Sequence, residues 1–175
     1  MRGRRIHGAA LMAIALGASA CGLTHMQDLR FRVDERLHFV APPDRALVAA
    51  PLTVRWTIKQ FRVEAPGSAP PTPDAGYFAV FVDRQPVRPD QTMRAVAAND
   101  EQCLHQRGCP DPAYLAARQI YTTTDTHLTI PQIPPLAGTE RVQLHAIVVV
   151  LMDTSGHRIG ESAWELDLRM QRAGL

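Results

Sequence analysis

The chain has 175 residues, with 19 Lys and Arg against 17 Asp and Glu and a formal charge of +2. Its basic cluster, Arg2, Arg4 and Arg5, lies at the N-terminus, and no basic run follows. Nucleic-acid binding needs a positive patch on the folded domain, so this pattern excludes nucleic acid as a partner and gives no ground for electrostatic attachment to acidic lipids.

The N-terminal segment MRGRRIHGAALMAIALGASACGL runs from arginines through apolar residues 9–18 to small residues before Cys21. That order is the layout of a secretory signal over residues 1–20. The apolar run is about half the roughly 20 residues a membrane-spanning helix needs. Ala18-Ser19-Ala20-Cys21 resembles the lipobox of bacterial lipoproteins. The resemblance implies cleavage before Cys21 and lipidation of its thiol, which places the remaining chain outside the cytoplasm. Ala18 departs from the Leu most common at that position. Gly22 stands where an Asp, in such lipoproteins, accompanies retention at the inner membrane. Two or more acyl chains hold a protein stably, so the membrane is an expected partner through Cys21. Residues 21–34 then act as the tether.

Without residues 1–20 the chain carries 16 basic residues against 17 acidic ones and suits one domain. Within the tether, Leu29, Phe31 and Val33 alternate with Arg30, Arg32 and Asp34, a strand pattern that Leu37 and Phe39 continue until Pro42-Pro43-Asp44. PLTVRWTIK, residues 51–59, puts Leu52, Val54, Trp56 and Ile58 on one face and Thr53, Arg55, Thr57 and Lys59 on the other. This is a half-buried strand. Phe61 and Val63 fall on the opposite parity, which predicts a bulge or strand end near Gln60. Residues 64–76 form a proline-rich surface loop. YFAVFVD, residues 77–83, is apolar up to Asp83 and predicts a central strand.

Residues 91–119 read as an insertion that holds DEQCLHQRGCPDP. With Cys21 assigned to lipid, Cys103 and Cys109 remain as a pair in an oxidising compartment. A zinc site from Cys103, His105 and Cys109 lacks the usual second pair of ligands, and a redox motif needs C-x-x-C. A disulfide staple is therefore expected, and no metal or cofactor. Asp111-Pro112 before AYLAARQ predicts an N-cap, a first-turn proline and a short helix. A threonine-rich strand is expected within residues 121–130, with Leu128 and Ile130 on one face. ERVQLHAIVVVLMD, residues 140–153, predicts the longest strand. DTSGHRIG predicts a hairpin turning at Gly156. SAWELDLRM, residues 162–170, turns Trp164, Leu166, Leu168 and Met170 inward.

The strands PLTVRWTI, YFAVFVD, THLTIP and RVQLHAIVVVLMD, in that order, resemble bacterial immunoglobulin-like or fibronectin type III-like domains over about residues 36–172. The resemblance implies an all-β, antiparallel immunoglobulin-like β-sandwich of about seven strands over residues 35–172, with a stapled insertion, and a core position for Trp56. The chain departs from it in lacking an inter-strand cysteine pair and a tyrosine at the start of strand 140–153. Fold alone does not settle function.

No side-chain set announces catalysis. His127, His145 and His157 share no metal-ligand spacing. Asp153, Ser155 and His157 lie within one hairpin, whereas a triad gathers its members from separated elements. Trp56 and Trp164 have inward parity and Tyr114 stands alone, so aromatic platforms for sugars are few. On strand 140–153, Val142, Leu144, Ala146, Val148 and Val150 share one face. Arg141, Gln143 and His145 begin the other, and Ile147, Val149 and Leu151 finish it. Taking the latter as the outer face, Ile147, Val149 and Leu151 with Phe78 and Val80 form an apolar patch. It is either covered by the insertion or presented to a partner. The expected function is a lipid-anchored, extracytoplasmic, non-enzymatic binding module of the bacterial envelope. An envelope protein or a second copy of the chain would be its partner. A carbohydrate-binding module is the alternative, and an enzyme stands third.

Overall fold

The computed structural model describes residues 34–172. The expected signal segment, Cys21 and the expected strand pattern at Leu29, Phe31 and Val33 lie outside the described residues. No helix among the described residues is long and apolar enough to cross a membrane.

The first sheet is built on β3, Leu52–Ile58, in which buried Leu52, Val54 and Trp56 alternate with exposed Thr53, Arg55 and Thr57. Side chains alternate faces along a strand, so this sequence can bury one side and wet the other. β1, Leu37–Ala41, pairs antiparallel along one edge, with Leu37 opposite Ile58 and Phe39 opposite Trp56. β7, His127–Ile130, takes the other edge, with Leu52 opposite Ile130. On its outer side the hydroxyls of Thr53 and Thr129 meet at 2.9 Å, a cross-strand pair that fixes the register.

The second sheet centres on β5, Ala75–Val82, with all 8 residues buried. β8, Val142–Asp153, pairs antiparallel with it, and β9, Trp164–Gln171, pairs antiparallel with β8. The far edge of β5 holds β4, Arg62–Val63, and β6, Ile120–Thr123. β2, Leu47–Val48, closes the β9 edge. The six strands run β2-β9-β8-β5-β4, with β6 beside β4 on β5. Gly76 makes the tight approach of β5 to β8 possible: a Cβ there would overlap the carbonyl oxygen of Met152 and lie 2.8 Å from the Cα of Asp153.

Three expectations need correction. Nine strands are described rather than about seven, and β2 and β4 pair parallel, so the second sheet is mixed rather than antiparallel throughout. Both are two-residue segments beside turns, too short to show a period. The threonine-rich stretch is two strands: β6 belongs to the second sheet and β7 to the first. The chain crosses between sheets at residues 124–126, where Thr123 Oγ1 accepts from Asp125 N at 2.9 Å. The insertion holds a 3₁₀ turn, Met93–Ala97, and two short helices, α1, Glu101–His105, and α2, Pro112–Ala116. Only α2 shows in the sequence, through Asp111 capping Tyr114 N at 2.7 Å. α1 is nucleated by Asp100, whose Oδ1 accepts from Cys103 N at 3.0 Å, and it carries Cys103, one end of the Cys103–Cys109 disulfide.

The two sheets face each other across one core, in which Trp56 meets Phe78 edge-on at 5.3 Å between ring centroids. Phe78, Val80, Ile147, Val149 and Leu151 all belong to this core. The proposed interaction patch is therefore the interior of the protein. The parity assigned to strand 140–153 was inverted, because inward-facing Gln143 and His145 look like surface residues in the sequence. Where the described chain begins, Trp164 Nε1 donates to the Asp34 carbonyl at 2.7 Å. The Arg36 guanidinium grips the Asp34 carboxylate and brings its pKa down to about 2.

Candidate functional site

With the parity corrected, the outer face of the second sheet carries Tyr77, Ala79 and Phe81 from β5 and Val142, Leu144, Val148, Val150 and Met152 from β8. It divides into two halves. Over one half the connection between β5 and β6, with the insertion in it, folds down, packing Val87, Met93 and Leu115 with Ile120 of β6 onto Tyr77, Phe81, Val148, Val150 and Met152. Polar contacts pin this cover. The Asp100 carboxylate accepts from Cys103 N, from the Tyr114 hydroxyl at 2.9 Å and from Arg118 at 3.3 Å. The Cys103 amide and the Tyr114 hydroxyl together hold its pKa below the ordinary 3.8. Arg118 also lies over the Tyr114 ring, 3.5 Å from its centre.

Arg158 fastens the cover from the side. It is 8 % exposed, and its guanidinium donates to Val87 O at 2.7 Å, Glu161 O at 2.7 Å and Ser162 O at 3.2 Å. Burial lowers its pKa. A fixed fork of donors suits three converging carbonyls in a way that an ammonium does not.

Among the described residues, none covers the other half of the face. Leu144 and Leu47 are each 52 % exposed and Val142 is 44 % exposed. Arg169 of β9 lies between Leu47 and Leu144 in register, and Gln171 lies beside Val142. Arg141 and Arg169 are exposed, so the apolar row is flanked by positive charge.

Beneath this bare half, on the inner side, the sandwiching of the sheets ends early. β5 stops pairing with β8 at Val82 opposite Ile147, and the facing sheet stops at Leu52 opposite Ile130. Residues 142–145 of β8 and the end of β9 outrun both. A hollow of about 300 Å³ opens there, lined by Ala49, Ala50, Ile133, Pro135, Gln143, His145, Met170, Gln171 and Arg172. Gln143 is fully engaged: its amide oxygen accepts from Leu136 N at 2.9 Å and its nitrogen donates to Leu136 O at 2.8 Å. His145 Nδ1 sits 2.7 Å from Asp83 Oδ2, while Asp83 Oδ1 accepts from Ala146 N at 2.9 Å. Asp83 adopts φ +52, a left-handed conformation that Asp tolerates, which ends β5 and aims the carboxylate at β8.

The remaining candidates are structural. Cys103 and Cys109 form the expected disulfide, around a loop whose residues 104–108 are exposed. Asp153 Oδ1 accepts from Ser155 N, Ser155 Oγ and His157 N, which is turn chemistry. The serine lies between the acid and the histidine, 2.8 Å from His157 Nδ1, so the order of a catalytic triad is reversed. His127 is an exposed strand residue. No group of His, Cys, Asp and Glu among the described residues could hold a metal ion. Trp56 is buried and Trp164 half-buried, and no described aromatic ring is exposed.

Sequence reasoning missed Leu47, Asp83, Gln143, Arg158 and Arg172. Asp83 closing an apolar strand was the one available signal; the rest depend on contacts between distant segments. The chain matches no family model, no curated protein and no solved structure.

Proposed function

We propose that this protein is a non-enzymatic binding module of the bacterial envelope, lipid-anchored at Cys21, with an immunoglobulin-like sandwich as its folded part. A partner protein docks on the bare half of the outer sheet face. The observation that carries this reading is the exposed row of Leu47, Leu144 and Val142 on a face whose other half the chain itself covers. Clustered exposed apolar residues with a polar rim mark contact surfaces more often than bare surface does. Arg141 and Arg169 beside the row favour a partner with an apolar centre and acidic flanks. Two sheets around a core tryptophan, Trp56, support the immunoglobulin-like assignment. The lipobox-like Ala18-Ser19-Ala20-Cys21 supports the anchor. With no described aromatic ring exposed, the carbohydrate reading has no platform to rest on.

The test is a photo-crosslinking residue at position 144 of the full-length chain in its native membranes, compared with the same chain carrying Leu47→Asp. One protein adduct that is lost with Leu47→Asp, while the melting temperature holds, supports the reading. Adducts to lipid or polysaccharide alone, or a protein adduct indifferent to Leu47→Asp, overturn it. An adduct to a second copy would replace the foreign partner with a homodimer. The anchor is tested separately by labelling with a palmitate analogue: the wild type takes up label, and Cys21→Ser neither labels nor stays with membranes.

A further inference from the structure

We propose that the hollow at the open end of the two sheets is a binding site for a small amphipathic carboxylate. It is separate from the docking face: Val142 and Leu144 point outward from β8, and Gln143 and His145 point inward. Its volume of about 300 Å³ is at the lower end for small-molecule sites and suits a ligand of about ten non-hydrogen atoms.

The walls select its chemistry. Ala49, Ala50, Ile133, Pro135 and Met170 make them apolar, and among the described residues no Asp or Glu lines the hollow. Its two charged or titratable side chains, His145 and Arg172, are both basic. Arg172 donates one N–H to the Gly138 carbonyl, which orients the guanidinium at the rim and leaves further donors. His145 is 2 % exposed, and Asp83 holds its Nδ1. A carboxylate at Nδ1 fixes the tautomer and the ring, as it does for catalytic and metal-binding histidines. Nδ1 is turned to Asp83, which is outside the lining. Nε2 takes no hydrogen bond from the described residues.

Preorganisation supports the same conclusion. Gln143 locks the 131–136 segment through both backbone groups of Leu136, so the wall with Ile133 and Pro135 is set before any ligand arrives. Inward-facing Gln143 and His145 stand where the strand further on carries Ile147, Val149 and Leu151. Filling the end of a core calls for apolar side chains; these two positions instead hold polar groups, fully bonded on one side. Their arrangement fits a ligand whose apolar body lies on Met170, Ile133 and Pro135, with its carboxylate on Arg172 and its edge on His145.

Benzoate and its neutral isostere benzamide are the probes, titrated into the full-length chain in lipid nanodiscs. The readout is the His145 ring signals in long-range ¹H–¹⁵N spectra. Benzoate is expected to shift them saturably and to bind about tenfold more tightly than benzamide, the worth of one charge-assisted hydrogen bond. Arg172→Gln should bring benzoate to the benzamide level. Ala49→Trp, a substitution at an exposed rim position, should abolish binding of both with the fold retained. Equal binding of the two probes, no response at His145, or binding that survives Ala49→Trp overturns the proposal. None of these outcomes depends on the partner at Leu144.

Discussion

On the outer face of the second sheet, Val150 is 0 % exposed and Leu144, on the same strand with the same parity, is 52 % exposed. Both are aliphatic and both sit in antiparallel pairs. They differ in what the chain lays over them. The long connection between β5 and β6 folds back on the β5 end of the face and supplies Val87, Met93 and Leu115 there; nothing described reaches the end where β8 outruns β5. The contrast teaches that an apolar strand face defines a need for cover, and that topology decides how much of the need the chain meets for itself.

The strongest way to break this comparison is to charge both halves. Val150→Asp puts an unpaired carboxylate between sheet and insertion and should cost about 4 kcal/mol or more in urea unfolding, enough to leave little folded protein. Next comes the fastening of the cover. Arg158→Met keeps much of the volume but strips donors from the carbonyls of Val87, Glu161 and Ser162, and should cost about 3 kcal/mol. Arg158→Lys should recover only part of that loss. The paired change Cys103→Ser, Cys109→Ser should cost about 2 kcal/mol and open the exposed Arg107 bond to trypsin, read as a nicking rate under native conditions.

Acid sharpens the comparison without mutation. The Asp100 carboxyl is held below its ordinary pKa by Cys103 N and the Tyr114 hydroxyl, so its contribution is complete above about pH 4 and is lost as pH falls through the depressed value. Amide exchange at Cys103 and Tyr114 should therefore accelerate as pH falls below about 4, relative to that of β5 and β8. The smallest effect belongs to the bare half: Leu144→Asp should change stability by no more than about 0.5 kcal/mol. A loss comparable to that of Val150→Asp would mean that the half is covered.

Much of this architecture is readable from local pattern. β3 and β9 show clean alternation, β5 and β8 show continuous apolar runs, and the Asp111-Pro112 cap marks α2. β8 also shows where pattern stops. Apolar on both faces from Ile147 onward, it carries no phase of its own, and its phase had to be taken from Arg141, Gln143 and His145. Those polar residues mislead, because Leu136 satisfies Gln143 and Asp83 satisfies His145 across distances in sequence that no window spans. The split of residues 121–130 was nearer to hand: Asp125 amid threonines is a turn signal, and it is where the chain leaves one sheet for the other.

That crossing has a mechanical consequence. Residues 124–126 join β6, paired to β5, to β7, paired to β3. Four peptide links separate the Cα atoms of Thr123 and His127, a reach of about 14 Å when fully drawn out, against a spacing of about 10 Å between two packed sheets. The sheets are thus held on a short leash, bent at residues 124–126, with a few ångströms of slack. Water wedging between them has to unzip β6 or β7 before it can widen the gap past that reach, so the sheets should come apart together, in one cooperative step, whether the load is heat, denaturant or a pull on the chain.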